Sequence, residues 1–193
     1  MYSFCYLGGS MMFESDFTIN GKHATYLKFL AQKNASTTVD SGKATAQLYE
    51  RYIDVYMNAV IFGLLYSRTA KNDSSSEDRA RVYAEVFNKE RENCIFLYRL
   101  VMLLDKTQNL SPEERVERAF RYDSQPEKEK EFQQNMELFH DYVRGGIEVM
   151  YERFTEGCQT REDYLNKSYE VMETFNKELN GTNYKEELLK MIN

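Results

Sequence analysis

The stretch EKEKEFQQNMELFHDYVRGGIEVMYERFT, Glu127 to Thr155, decides the fold class. Phe132, Met136, Phe139, Val143, Ile147, Met150 and Phe154 recur along it every three or four residues. That period gathers apolar side chains on one face of an α-helix. A helix this long is an element of a bundle. Arg144-Gly145-Gly146 sits inside it and breaks the local rule. Each glycine costs a helix interior about 1 kcal/mol relative to alanine, so the pair needs an offset. A kink, a tight helix crossing inside the fold, or the close approach of a partner would each supply one. The crossing is the structural option; Arg144, Gly145 and Gly146 as a partner contact are the functional one.

Working outward, helical patterns fill most of the remaining chain. A first helix is predicted over Lys22 to Lys33 and a polar loop over Asn34 to Asp40. A second helix is predicted from about Lys43 to Ala70, apolar nearly all round past Val55 and therefore buried. Ser76 is placed to cap a third helix running to about Lys106, whose second half is dense in Ile95, Phe96, Leu97, Leu100 and Val101. Ser111-Pro112-Glu113-Glu114 is the strongest local signal: an N-cap serine, proline at the first helical position and a capping-box glutamate. Thr160 opens a helix to about Leu179, and Tyr184 to Ile192 reads as a short last one. No run alternates with period two for long. The expectation is all-α: a single-domain bundle of six or seven helices over residues 12–193, with residues 1–11 apart from it.

Those first residues carry a reading of their own. Gly8-Gly9-Ser10 precedes Met11-Met12, as a purine-rich ribosome-binding sequence translated in frame would. Either residues 1–11 are such a leader, or they are an ordinary N-terminal arm. Mass analysis of the N-terminus from the native host separates the two.

Composition bounds the function. Hydrophobic residues make up 42% and charged residues 29%, a globular balance. Nine Gly and two Pro are few for a strand-rich fold. The net charge of −6 argues against a surface given over to nucleic acid. Cys5, Cys94 and Cys158 are odd in number and without a C-x-x-C pair, which reads as reduced thiols in a cytoplasmic protein. No apolar run approaches the roughly 18 residues a membrane span needs, so no membrane partner is expected.

The chemistry-bearing patterns are sparse. Glu137-x-x-His140 has the spacing used in di-iron bundles, but that site needs a second such pair, and His23 has Asn20 three residues before it. No nucleophile elbow or phosphate-cradling glycine loop is present. The expectation is therefore no catalytic residue, no metal and no cofactor. Arg115, Arg118 and Arg121 recur every three residues along the capped helix and would form a basic strip for phosphates or an acidic partner. Glu114 and Glu117 oppose it through i,i+4 pairs with Arg118 and Arg121. Tyr49, Tyr52, Tyr56 and Tyr66 form a stripe suited to the wet edge of a core or to a partner.

Tyr98 to Asp105 (YRLVMLLD), Asp141 to Glu148 (DYVRGGIE) and Gly63 to Arg68 (GLLYSR) resemble small helical proteins encoded beside bacterial DNA-phosphorothioation and related anti-phage systems. The resemblance implies an accessory subunit of a defence or DNA-modification assembly and assigns no residue a role. The leading expectation is a non-catalytic helical interaction subunit that binds protein partners or forms a homo-oligomer. One alternative is an accessory protein that contacts DNA or RNA through the arginine strip. Another is an enzyme whose site is assembled only in the fold.

Overall fold

The computed structural model describes residues 12–31 and 48–181. In chain order the elements are β1 (Phe17–Asn20), α1 (Gly21–Leu30), α2 (Tyr52–Leu65), β2 (Arg79–Val82), α3 (Ala84–Lys89), α4 (Arg91–Leu104), α5 (Pro112–Phe120), α6 (Glu129–Thr155) and α7 (Arg161–Gly181). Short 3-10 turns at Tyr122–Ser124 and Pro126–Lys128 join α5 to α6. The protein is a helical bundle with one small two-stranded sheet. The leader reading and the last predicted helix fall outside the described residues, as does the chain from 32 to 47.

The bundle is organised on α6, which lies along α2 in its most extensive helix contact. Asp141 to Met150 is buried at every position, so the middle of α6 is enclosed all round. The core surrounding it includes Tyr56, Val60, Phe87, Tyr98, Phe139 and Ile147. Tyr56 meets the rings of Phe87 and Phe139 edge-on at 5.2 and 6.0 Å between centroids, a favoured aromatic geometry. Of the tyrosine stripe, Tyr56 is therefore core, whereas Tyr49, Tyr52 and Tyr66 are half-buried.

Two expected helices are corrected. The second ends at Leu65 rather than Ala70. Ser67 takes a left-handed backbone (φ 48°), its N–H donates to the Leu64 carbonyl at 3.1 Å, and the Arg68 N–H donates to the Gly63 carbonyl at 2.8 Å. That is a Schellman stop, and it escaped the sequence reading because serine stands where glycine usually signals it. The predicted third helix is three elements. Its first part is β2, paired antiparallel with β1 in the register Phe17↔Val82 and Ile19↔Ala80. Ala80 and Val82 point inward and Arg79 and Arg81 outward, an alternation too short to register against good helix formers. Ser76 caps no helix; its hydroxyl accepts the Asp78 N–H at 3.3 Å within a turn.

The capping box is present as read. The Glu114 N–H donates to Ser111 Oγ at 3.2 Å, and the Ser111 N–H to Glu114 Oε2 at 2.8 Å.

Candidate interaction face and the buried ion-pair network

The glycine pair is consumed inside the fold. A Cβ on Gly146 would sit 1.7 Å from the Ala59 carbonyl oxygen, and one on Gly145 would sit 2.2 Å from the Arg68 carbonyl oxygen. Gly63 on α2 faces the Tyr142 carbonyl in the same way, at 2.4 Å. Backbone therefore meets backbone where α2 crosses α6. Gained packing offsets the helix-propensity cost of the glycines.

The segment after α2 turns back over this crossing and is clamped to α6. The Ala70 N–H donates to the Asp141 carbonyl, and Arg144 Nε donates to the Ala70 carbonyl, both at 2.9 Å. Arg144 also pairs with Asp141 at 2.6 Å and Glu137 at 2.5 Å, and Lys71 pairs with Asp141. Arg144 is buried, so the segment Arg144-Gly145-Gly146 offers no surface to a partner.

One turn further along α6, Glu148 gathers a second set. It takes Lys22 at 2.8 Å and His23 Nε2 at 2.9 Å on one oxygen, and Arg68 Nη2 at 3.0 Å on the other. Burial alone would push its carboxyl up. The hydrogen bonds from Lys22, His23 and Arg68 outweigh that and hold it below the usual range. His23 is wholly buried, and burial keeps its imidazole below its ordinary value despite Glu148. These residues are a strut joining α1, the segment after α2, and α6: both oxygens of Glu148 are occupied by the protein itself.

The three arginines of α5 do not form a free strip. Arg118 is buried; its Nε donates to the Met102 carbonyl at 2.8 Å, and its Nη2 pairs with buried Asp105 at 3.2 Å. Arg115 donates to the carbonyls of Leu103, Leu110 and Asp105. Both arginines thus satisfy carbonyls at the C-terminal end of α4, which carries the negative end of the helix dipole. Arg121 alone lies outward, paired with Glu117 at 2.6 Å as the spacing predicts. Asp105 also accepts from Tyr142 at 2.9 Å and Thr107 at 2.7 Å. Burial opposes its ionisation, but these donors prevail and its carboxyl lies below the usual range.

The residues of the Glu137-x-x-His140 pattern part company. Glu137 reaches Arg144, and the His140 ring stacks on Phe17 at 3.9 Å. Burial, with Arg144 nearby, pushes His140 down to about 3, so it is neutral. A cleft of about 730 Å³ lies between the start of α2 and β2. Two of its three arginines are engaged with carboxylates, Arg51 with Asp54 and Glu90, and Arg81 with Asp16.

Tyr83, 55% exposed, lines this cleft, and further apolar surface is exposed elsewhere. On α4 and α5, Phe96 is 63% exposed, Val116 49% and Phe120 47%. Phe96 and Phe120 line a groove together with Ile95, Leu100 and Leu103. Arg99 lies in it with its guanidinium over the Phe120 ring at 5.0 Å, and its buried Nε has no hydrogen-bond partner. No carboxylate among the described residues pairs with Arg99. A half-buried cation in an apolar groove is the feature of this surface that asks for a ligand of opposite charge.

Comparison with family models, with curated proteins and with solved structures finds no match for this chain.

The α4–α5 face was missed in the sequence because Phe96, Leu100 and Leu103 read as one continuous apolar run. Which of them the bundle covers depends on where α5 lands, and that is set by Arg118 reaching Asp105. Among the described residues no helix is long and apolar enough to cross a membrane.

Proposed function

We propose that this chain is a non-catalytic helical interaction subunit that binds a further protein chain, a partner or a second copy of itself, through its α4–α5 face, within a bacterial multiprotein assembly of the defence or DNA-modification kind. The observation that carries the binding reading is the groove itself. Phe96 and Phe120 stay in water in the groove that holds Arg99, which no carboxylate among the described residues pairs. Burying one such phenylalanine contributes about 1.5–3 kcal/mol, so several anchors closing together with one ion pair approach what stable association requires. The setting within a defence assembly rests on the resemblance at Tyr98 to Asp105 and Asp141 to Glu148. Contact with DNA or RNA through Arg115, Arg118 and Arg121 loses its support, because two of the three are spent on the end of α4.

The test is affinity capture from the native host after nuclease treatment, with the wild-type chain and a Phe96→Asp, Phe120→Asp double variant side by side. The expected result is a protein partner retained by the wild type and lost by the variant, with helicity and melting unchanged. A partner held equally by both chains, one released by nuclease alone, or recovery of a bait that binds neither another protein nor a second copy of itself would overturn the proposal.

A further inference from the structure

Resting on that interaction reading, we infer that the occupant of the α4–α5 groove is α7 of a second copy of this chain, docked head to tail. The inward side of α7 is already used: Val171 is buried, and Phe175 stacks on Phe62 at 5.6 Å. Its outward side is apolar as well. Leu165 is 54% exposed, Tyr169 74% and Met172 66%, at the four- and three-residue spacing that aligns them in one row. A surface helix with one neighbour carries one apolar stripe, so a second one signals a second neighbour.

The row has a charge at its end. Glu162 lies one turn before Leu165 on the same side, exposed and without an ion-pair partner among the described residues. The groove holds a complementary cation, Arg99, which no carboxylate among the described residues pairs. The dimensions agree too. The row from Glu162 to Met172 spans about 15 Å of helix axis, and the groove from Glu92 to Leu103 about 16 Å. Glu92, the acidic residue of the groove, stands two turns from Arg99, about 10 Å along α4, so it leaves the cation open to Glu162.

Groove and row are different surfaces of one chain, so each copy offers one of each. The contact is heterologous, and it propagates into a ring or an open array rather than stopping at a two-fold dimer. That property gives the test. Phe96→Glu blocks the groove and leaves the row; Tyr169→Glu does the reverse. Both positions face water, so circular dichroism of each variant is expected to match the wild type.

Sedimentation equilibrium at about 100 μM, a concentration that populates micromolar complexes, is expected to give a wild-type mass well above the monomer's 22.8 kDa. Each variant alone is expected at the monomer mass, and their equimolar mixture at close to twice it. Arg99→Glu with Glu162→Arg in one chain is expected to restore the assembly that either change alone weakens at least tenfold. A monomeric wild type would overturn the second-copy inference while leaving the capture experiment above to judge the interaction reading on its own. Assembly that survives in either single variant, or a mixture that stays monomeric, would overturn the head-to-tail contact.

Discussion

Gly146 of α6 lies against the carbonyl of Ala59 on α2 so closely that a methyl group there would stand 1.7 Å from the oxygen. Alanine raises helix propensity by about 1 kcal/mol, and on that ground Gly146→Ala would stabilise the protein. The clash is with backbone, which cannot step aside as a side chain does, and overpacking of this kind costs about 3 kcal/mol or more. The expected net outcome is a marked loss of stability in urea denaturation. Gly157→Ala is the control: that glycine has φ 76° and open space around it, so about 1 kcal/mol of backbone strain is all that is expected. Equal effects at the two positions would mean that α2 and α6 do not cross so tightly.

Arg118 and Arg121 are three residues apart and are expected to behave oppositely. Removing Arg118 strands the buried Asp105 carboxylate, at a cost of about 3–5 kcal/mol. Arg121 is exposed, and its pair with Glu117 contributes no more than about 0.5 kcal/mol. Thermal melting of Arg118→Ala and Arg121→Ala checks this. If both melted like the wild type, the capping of α4 by α5 would not hold.

Stability is expected to fall in two acid steps. His140 is held down to about 3, against an unfolded value near 6.5, so the unfolded chain takes up the proton first. Its contribution is complete above about pH 6.5 and is lost as pH falls toward 3, amounting to at most about 2 kcal/mol by pH 5. Buried His23 is lowered in the same sense and adds to this limb. Glu148 lies below its usual range, so its contribution is present above its unfolded value near 4.3 and lost as pH falls further. His140→Phe keeps the ring stack on Phe17 and should flatten the limb between pH 5 and 7. Glu148→Gln should instead flatten the limb below about pH 4.5, while lowering stability at pH 7 by about 2 kcal/mol. Urea midpoints across pH 3 to 8 separate them; unchanged slopes in both variants would count against the buried network.

Ser67 holds the left-handed position of the Schellman stop at φ 48°. Glycine adopts that conformation without the side-chain penalty, so Ser67→Gly should gain up to about 1 kcal/mol, less the extra entropy it gives the unfolded chain. A destabilised variant would place the end of α2 elsewhere.

What the sequence determined is what local chemistry dictates. The period of Phe132 to Phe154 makes α6, and Ser111, Pro112 and Glu114 start α5, because each interaction joins residues within a turn or two. The Gly145-Gly146 pair announced that something must come close without saying what. Tertiary structure alone decided the rest. Arg118 turns inward because Asp105 waits at the end of α4, and Arg144 because the segment after α2 lays the Ala70 carbonyl beside it. His23 meets Glu148 across 125 residues of chain. Nothing within α6 marks its charged middle as buried, since the sequence does not show that partners from α1 and from the segment after α2 will arrive to neutralise it. The apolar faces of α4 and α7 were legible as apolar. That Phe96, Tyr169 and Met172 stay in water depends on which neighbours the fold brings to them, and burial is a property of the assembled layers rather than of any one helix.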